Sequence, residues 1–345
     1  MVECKLPKLD VAGSTPVARF FCQNPKETFM KILIVGSGAI GSVLGGFLHK
    51  SGGDVTLAGR GEHIRTIKSQ GLHITGIWAE YNLKDIRAVE PAEALKPDLH
   101  DQFDAILMCV KSYDTGDAIK AYKGLMKKDG ICVSFQNGLG NMEAIAQVVG
   151  DQRTGGARVI FGSEIVKPGY VNVTVYADQI VVGPYKLEKF GNKERLVELA
   201  RIIDKTGIPA YYMDDVYPHL WAKMFYNCPL NPLGAILRLP YGELIKHEEI
   251  KAIMNDVVKE AFAAAKGISV NLPFDNYMDF MQVFYDVLVP STAGHRASML
   301  QDIERGKRTE IDALNGAVVK YGEQLGIPVE VNKTLVRLIK AIEKQ

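Results

Sequence analysis

Two different spacings of apolar residues divide the chain. In the first half, short continuous apolar runs lie at Ile32–Val35, 104–110 and 130–135, and the first is followed by helical spacing through Leu44 and Leu48. A continuous run of this length is typical of a strand buried on both faces of a parallel sheet. The pattern therefore predicts an α/β unit in which strands and helices alternate.

The second half has helical spacing almost throughout. Between the halves, β-branched residues alternate over 158–183, which predicts a small set of antiparallel strands that close the sheet. Pro229 and Pro232 are expected to bend or end the first helix of the second half. Predicted helices cover 216–228, 241–266, 274–287, 295–304 and 308–325, and a last helix runs to the end.

Three glycines follow the first predicted strand. Gly36, Gly38 and Gly41 form the spacing G-x-G-x-x-G between a strand and a helix. In this context the first glycine permits a tight turn, the second lets the backbone approach a pyrophosphate, and the third lets the helix pack closely on the strand. The segment predicts a Rossmann domain whose dinucleotide site includes these glycines and the intervening Ser37, Ala39 and Ile40.

The end of the second predicted strand indicates which dinucleotide is bound. NAD-selective proteins usually carry Asp or Glu there to bind the ribose 2′-hydroxyl. This chain has Gly59 and Arg60 instead, with Arg65 about one helical turn further on. A guanidinium at this place favours NADP, because it binds a 2′-phosphate that a carboxylate would repel. The alternative is that either arginine is a solvated surface charge.

Composition excludes several classes of function. The 41 Lys and Arg residues balance 40 Asp and Glu residues, so the net charge of +1 does not favour nucleic acid or a membrane surface as partner. No apolar run reaches the roughly 18 residues of a membrane helix. The 7 histidines and 5 cysteines lack metal-ligand spacing, so we predict no metal site. Scattered, unpaired cysteines indicate a reducing, cytoplasmic location.

A polar stripe crosses the first helix of the second half. Lys223, Asn227 and Asn231 follow one another at intervals of four among aromatic and aliphatic residues. An ammonium in an apolar pocket can have a lowered pKa and donate a proton to a developing alkoxide. Alternatively, Lys223 extends past the apolar face to water.

More polar groups are expected near this stripe. Lys111 and Asn137 each follow a predicted buried strand, at the end where ligands of open α/β sheets bind. Ser298 lies in a second polar segment. In a third, Glu310 and Asp312 fall near the predicted start of a helix, where capping is the simpler explanation for their charge.

These motifs together resemble one enzyme family. The glycine turn, Asn137-Gly138, the lysine–asparagine stripe ending in Asn231-Pro-Leu, and Ser298-Met-Leu-Gln-Asp followed by Glu310-Ile-Asp are similar to ketopantoate reductase (2-dehydropantoate 2-reductase). The resemblance covers Met30 to the C-terminus. It implies a Rossmann domain followed by an all-helical domain, and reduction of ketopantoate to pantoate with NADPH in the route to pantothenate and coenzyme A.

The resemblance also implies roles for individual residues. Lys223 corresponds to the general acid of the family. Asn227, Asn231 and Ser298 correspond to substrate ligands. Cofactor and substrate contacts are implied for Asn137, and cofactor contacts for Lys111 and Glu310.

One position departs from the family pattern. His295 stands where some members carry an asparagine that contacts substrate, so the pocket is expected to include His295 and the 2-oxo acid is left open. His295 is expected to become charged near pH 6.5. A related NADP-linked dehydrogenase of another 2-oxo or 3-hydroxy acid is one alternative function, and a non-catalytic NADP sensor is another.

The domain organisation follows from these assignments. We expect residues 1–29 to be an N-terminal extension that is poorly ordered or lies on the surface, because the first strand begins only after Met30. Residues 30–208 are predicted as the NADP-binding Rossmann domain and residues 209–345 as the helical substrate and catalytic domain. The sequence leaves open whether the chain forms a homodimer.

Overall fold

The computed structural model describes residues 30–345. The predicted N-terminal extension, residues 1–29, lies outside the described residues. The strands are β1 (Ile32–Val35), β2 (Val55–Ala58), β3 (Leu72–Gly76), β4 (Tyr81–Leu83), β5 (Arg87–Val89), β6 (Phe103–Met108), β7 (Met126–Ser134), β8 (Thr154–Arg158), β9 (Phe161–Lys167), β10 (Tyr170–Tyr176), β11 (Ile180–Pro184) and β12 (Ala210–Tyr212).

The helices have the following bounds, with a π-helical turn at Phe284–Leu288. They are α1 (Ala39–Lys50), α2 (Glu62–Gln70), α3 (Pro91–Ala94), α4 (Thr115–Tyr122), α5 (Asn141–Val149), α6 (Lys193–Lys205), α7 (Tyr217–Leu237), α8 (Tyr241–Leu244), α9 (Glu248–Gly267), α10 (Tyr277–Val283), α11 (Val289–Ser291), α12 (Ser298–Glu304), α13 (Asn315–Leu325) and α14 (Glu330–Ile342). Within residues 30–345, no helix has both the length and the apolar character that a membrane crossing requires.

An eight-stranded sheet forms the centre of the first unit. Its order is β12-β11-β8-β7-β6-β1-β2-β5, and all neighbours are parallel except β11 and β8. The four residues of β1 are buried, as their continuous apolar sequence predicts. Beside β1, the strand order reverses between β2 and β6, which opens a crevice at the carboxyl ends of the strands. The predicted Rossmann architecture is confirmed.

The prediction that strands within 158–183 close this sheet is only partly right. β9 and β10 pair antiparallel, but they join β3 and β4 in a separate sheet of order β4-β3-β10-β9. Aromatic contacts hold this second sheet on α1, with Trp78 5.6 Å from Phe47 and 5.1 Å from Phe161 between ring centroids. The alternation of residues specified the hairpin but not its partner strand.

The main sheet extends past the predicted domain boundary. β11 does lie in this sheet, antiparallel to β8. β12 pairs in parallel with β11, with Val182 opposite Tyr212, although it lies after residue 208. The sheet therefore includes residues up to Tyr212, and the helical unit begins with α7 at Tyr217.

Helix α7 is the centre of the second unit. It packs against α9, α12 and α14, and it buries Trp221, Met224 and Phe225 in their midst. Of its polar residues at intervals of four, Lys223 bonds to residues of the first unit, and Asn231 bonds to Ser298 at the start of α12. α7 therefore carries core residues and polar residues on different faces.

Pro229 and Pro232 do not end α7, although the sequence offered this as one of their two expected effects. The helix continues through Pro229 and Pro232 to Leu237. Pro232 has no N–H to donate to the carbonyl of Cys228 one turn earlier. The buried Asn315 supplies that donor, because its Nδ2 lies 3.0 Å from the Cys228 oxygen. A side chain from α13 therefore replaces the missing hydrogen bond of the helix.

We expect Asn315→Ala to lower the free energy of unfolding by about 2–4 kcal/mol, because it leaves buried acceptors on Cys228 and Asn332 unpaired. Denaturant unfolding of the variant beside wild type measures this difference. Asn82→Ala, at an exposed position of β4, is the control and should unfold as wild type does. An unchanged midpoint for Asn315→Ala would show that α7 tolerates Pro232 without help.

Candidate active site

A cleft separates the Rossmann unit from the helical unit. It has a volume of about 3430 Å³ and runs along the carboxyl ends of the central strands to α7 and α12. A site for one small ligand is typically about 300–1,000 Å³. The cleft is therefore large enough for a dinucleotide and a second, small molecule.

The glycine turn has the shape that a pyrophosphate requires. Gly36 has φ +105°, and a Cβ atom there would lie 2.5 Å from the backbone nitrogen of Val110. A Cβ on Gly41 would lie 2.1 Å from the Gly36 oxygen. A Cβ on Gly38, by contrast, would meet no atom within 4 Å, because it would project into the cleft. The turn thus keeps an open cradle in front of the first N–H groups of α1.

The intervening residues complete this cradle. Ser37, Ala39 and Ile40 line the cleft beside Gly36 and Gly38. Gly38 caps α1, and no side chain bonds the free N–H groups of this helix end. These observations fit a bound dinucleotide.

A hydrogen-bond chain that sequence reasoning missed supports the turn. Ser42 Oγ donates to the Ser37 carbonyl at 3.1 Å and accepts from His63 Nε2 at 3.1 Å, since His63 Nδ1 accepts from the Gly169 N–H at 3.1 Å. Burial lowers the pKa of His63 to about 4, so the ring is neutral at pH 7. No local motif marks His63, because Gly169 is 106 residues away along the chain.

The structure separates the two arginines after β2. Arg60 lines the cleft, is 79% exposed and forms an ion pair with Asp114 at 2.5 Å. Arg65 does not line the cleft and instead pairs with Glu90 at 3.2 Å. Of the two, only Arg60 is placed to contact a molecule in the cleft.

Lys111 joins the two units through an ion-paired cluster. Its Nζ lies 2.6 Å from Asp302 Oδ2 and 3.4 Å from Glu310 Oε2. Burial disfavours the charge on Lys111, but the carboxylates of Glu310 and Asp302 outweigh it and raise the pKa of this lysine. Lys111 therefore stays protonated and is a poor proton donor.

The helix-capping interpretation of Glu310 and Asp312 is wrong. α13 begins only at Asn315, and the preceding residues form turns. Glu310 Oε1 accepts a hydrogen bond from the Ser112 N–H at 2.9 Å, across the interface between the units. Asp312 pairs with Arg308 at 3.0 Å.

Lys223 is held by two acceptors of the other unit. Its Nζ donates to Asn137 Oδ1 at 2.6 Å and to the carbonyl oxygen of Val159 at 2.5 Å. Burial lowers the pKa of Lys223 to about 8, with a further lowering by Arg158 and an opposing effect of Glu310. The alternative in which Lys223 extends past the apolar face to water is wrong, because its ammonium bonds to two protein acceptors. Since an ammonium has three N–H groups, one donor is left for a ligand.

The two asparagines of α7 continue the line of polar groups from Lys223. Asn227 and Asn231 are 8% and 4% exposed, and both line the cleft. Asn231 Oδ1 accepts from Ser298 Oγ at 3.1 Å, which ties α7 to the start of α12. Among residues 30–345, no side chain pairs with the Asn227 amide, so its donors and acceptor are available to a ligand.

His295 lies at the same end of the cleft. It lines the cleft with Tyr226, and its ring centroid lies 5.2 Å from that of Tyr241. Burial lowers the pKa of His295 from its usual value, and Glu164 opposes this effect. The expectation that His295 becomes charged near pH 6.5 is therefore wrong, because the half-buried ring protonates only at lower pH.

Two family models match the two units. The model "Ketopantoate reductase PanE/ApbA" matches residues 32–186, and "Ketopantoate reductase PanE/ApbA C terminal" matches residues 215–343. Among curated relatives, the 2-dehydropantoate 2-reductase of Aquifex aeolicus is 37% identical over 91% of this chain and 97% of its own length. That of Pyrococcus horikoshii is 35% identical over 91% of this chain and 98% of its own.

Solved structures agree with this assignment. A PanE/ApbA family ketopantoate reductase from Ralstonia eutropha is 34% identical, covers 91% of this chain and 99% of its own, and has a TM-score of 0.79. A ternary structure of D-mandelate dehydrogenase with NADH and anilino(oxo)acetate is 26% identical, covers 91% and 98%, and has a TM-score of 0.82. By its two matched models and its relatives over most of its length, the chain belongs to the ketopantoate reductase PanE/ApbA family.

Proposed function

We propose that this chain reduces a 2-oxo acid with NADPH, and that the acid is 2-dehydropantoate, which yields pantoate in the route to pantothenate and coenzyme A. The observation that carries this proposal is Lys223, a cleft-lining ammonium with two anchored N–H groups and a pKa of about 8. It lies on the same helix as Asn227 and Asn231, one and two turns away. Membership of the family supports the reaction type.

A nicotinamide dinucleotide is the cofactor, and it supplies the hydride that reduces the substrate carbonyl carbon. Its pyrophosphate fits the cradle at Gly38, where the N–H groups of α1 favour an anion. Arg60 offers a guanidinium to a 2′-phosphate, in exchange for Asp114, which supports NADP(H) over NAD(H). We assign Lys111, Asn137 and Glu310 to the part of the cleft where cofactor and substrate meet.

Lys223 donates the proton that completes the reduction. When the ammonium is charged, two N–H groups point to Asn137 and Val159, and the third stabilises the developing alkoxide. The N–H bond then breaks as the O–H bond of the product forms. The neutral amine keeps both anchors, because its two remaining hydrogens serve the same acceptors. The group therefore changes charge without changing position.

The substrate is held by polar groups of the helical unit. Asn231 and Asn227 supply amide donors for the carboxylate of a small 2-oxo acid, and Ser298, whose hydrogen is donated to Asn231 Oδ1, offers its hydroxyl oxygen as an acceptor for the substrate hydroxyl. Tyr226 and His295 border the same space and limit the size of its side chain. Lys111 keeps its charge and holds Asp302 and Glu310 across the units, so it orients the site but does not titrate in the reaction.

Two other functions compete with this proposal. His295 favours a different 2-oxo acid if its ring contacts the substrate. A sensor that binds NADP without turnover would have no use for the anchored lysine. Oxidation of NADPH, followed by absorbance with no acid, with ketopantoate and with a panel of other 2-oxo acids, separates the three candidate functions.

The free thiols of Cys109, Cys132 and Cys228 support a cytoplasmic location.

We expect Lys223→Ala to lower kcat by roughly 100-fold or more, the usual effect of a lost general acid, while NADPH binding stays nearly unchanged. Steady-state kinetics and fluorescence titration with NADPH measure the two effects. Lys246→Ala, which removes an exposed lysine paired with Glu243, is the matched control. Turnover within a few-fold of wild type would exclude Lys223 as the proton donor.

Gly36→Ala and Gly38→Ala should separate folding from cofactor binding. Gly36→Ala is expected to destabilise the fold by about 1–3 kcal/mol, because its φ is positive and its Cβ meets the backbone of Val110. Gly38→Ala should unfold at the wild-type temperature but bind NADPH at least about 10-fold more weakly, because its methyl group fills the cradle. Wild-type affinity in Gly38→Ala would place the pyrophosphate elsewhere.

Arg60→Ala should weaken NADPH binding by about 10- to 100-fold, the loss of one charge-assisted contact to phosphate, with little change for NADH. Arg65→Ala is the matched control, since Arg65 does not line the cleft and should leave both affinities unchanged. Isothermal titration of wild type and both variants with each cofactor gives the six affinities. An equal loss for NADPH and NADH in Arg60→Ala would assign Arg60 a structural role.

A further inference from the structure

Arg158 is a buried cation beside the candidate site that the mechanism above does not use. It ends β8, is 6% exposed and borders the cleft. Its Nη2 donates to Asp178 Oδ2 at 2.6 Å and to the Gln179 carbonyl at 2.9 Å. Its buried Nε has no hydrogen-bond partner among residues 30–345. Burying a cation with an unpaired donor is costly, so packing alone gives no reason for an arginine at this position.

The backbone links Arg158 directly to Lys223. Val159, the next residue, provides the carbonyl that accepts the 2.5 Å hydrogen bond from Lys223 Nζ. Arg158 is fixed on one side by its pairing with Val181 in the sheet and on the other by its bonds to residues 178 and 179. The position of the Val159 carbonyl therefore depends on how Arg158 is held.

Two charged residues act on the pKa of Lys223 in opposite directions. Arg158 disfavours the charged form of Lys223, and Glu310 favours it, while Asn137 and the Val159 carbonyl are neutral acceptors. Asp178, the counter-ion of Arg158, is not among the groups that shift the pKa of Lys223.

His219, which also lies on α7, has a pKa that responds to a different set of charges. Both Arg158 and Asp178 act on His219, one turn before Lys223. Burial and Arg158 lower the pKa of His219 to about 4 against the opposing effect of Asp178, so this ring adds no charge beside Lys223 at pH 7. The repulsion that reaches Lys223 thus comes from Arg158.

We propose that Arg158 is a positioning residue for the proton donor: it fixes the Val159 carbonyl that anchors Lys223, and it adds a buried positive charge to the cleft. Asp178 and the Gln179 carbonyl anchor its guanidinium. This inference rests on the proposed function, because it assigns Arg158 to the proton-transfer step. Arg158 and Lys223 belong to different units, so the effect requires the two units to be in contact.

The test is a titration of Lys223 that needs no substrate. In protein labelled with ¹³C at lysine Cε, the resonance of Lys223, assigned by its loss in Lys223→Ala, reports the charge of the ammonium. We expect a midpoint near 8 in the wild type. Arg158→Met should raise the midpoint by about one pH unit because it removes the repelling charge, whereas Asp178→Asn leaves the guanidinium charged and should stay near wild type. Arg158→Lys keeps the charge and should stay closer to wild type than Arg158→Met.

Kinetics on the same variants give a second readout. The descending limb of kcat/KM for reduction should move with the Lys223 midpoint in each variant, to higher pH in Arg158→Met and with little change in Asp178→Asn. A merely structural role would change the melting temperature without moving this limb.

Two failures are distinguishable. If Lys223 titrates at the same pH in wild type and in Arg158→Met, the inference is wrong, whatever the enzyme reduces. If the midpoint shifts as expected but the wild type reduces no 2-oxo acid, the proposed function is wrong while the coupling of Arg158 to Lys223 holds. Should Arg158→Met not fold, Arg158→Gln decides in its place, because it also removes the charge but keeps an amide donor for the Gln179 carbonyl.

Discussion

The pair of hydrogen bonds from Lys223 to Asn137 and to the Val159 carbonyl is the constraint on which the site depends. Both acceptors belong to the Rossmann unit, and the lysine belongs to α7 of the helical unit. The Lys223 ammonium therefore has both of its anchoring hydrogen bonds only when the two units are in contact. The same contact brings the glycine cradle and the asparagines of α7 to opposite sides of one cleft.

Two lysines in this cleft have opposite environments, and the difference assigns their roles. Lys111 is surrounded by the carboxylates of Asp302 and Glu310, which keep it charged and make it a link between the units. Lys223 has neutral hydrogen-bond acceptors, and burial and Arg158 lower its pKa to about 8 against the opposing effect of Glu310, which is within the working range of an acid catalyst. The same cleft is thus lined by one lysine that stays charged and one that titrates.

Sequence patterns correctly predicted the features of the structure that depend on neighbouring residues. The strand, turn and helix around Gly36 and Gly38 follow from glycine spacing and a continuous apolar run, and the structure has them where expected. The spacing of Lys223 and Asn227 placed them on one face of a helix, and the structure brings both of them, together with Asn231, to the cleft.

Such patterns did not predict contacts between segments that are distant in the sequence. The Val159 carbonyl is 64 residues from Lys223, and Ser112 is 198 residues from Glu310. Asn315, which lets α7 continue past its prolines, is 87 residues from the carbonyl that it binds. The partner of the β9–β10 hairpin was missed for the same reason, because alternation of residues fixes the faces of a strand but not its neighbour.

The most direct test of Lys223 as the proton donor is the pH dependence of kcat/KM in both directions of the reaction, with the 2-oxo acid and with its 2-hydroxy acid. Since reduction needs charged Lys223 and oxidation needs the neutral amine, we expect reduction to fall and oxidation to rise through a common midpoint near 8. Profiles that rise and fall together, or that are unchanged in Lys223→Ala, would contradict a role of Lys223 as the proton donor.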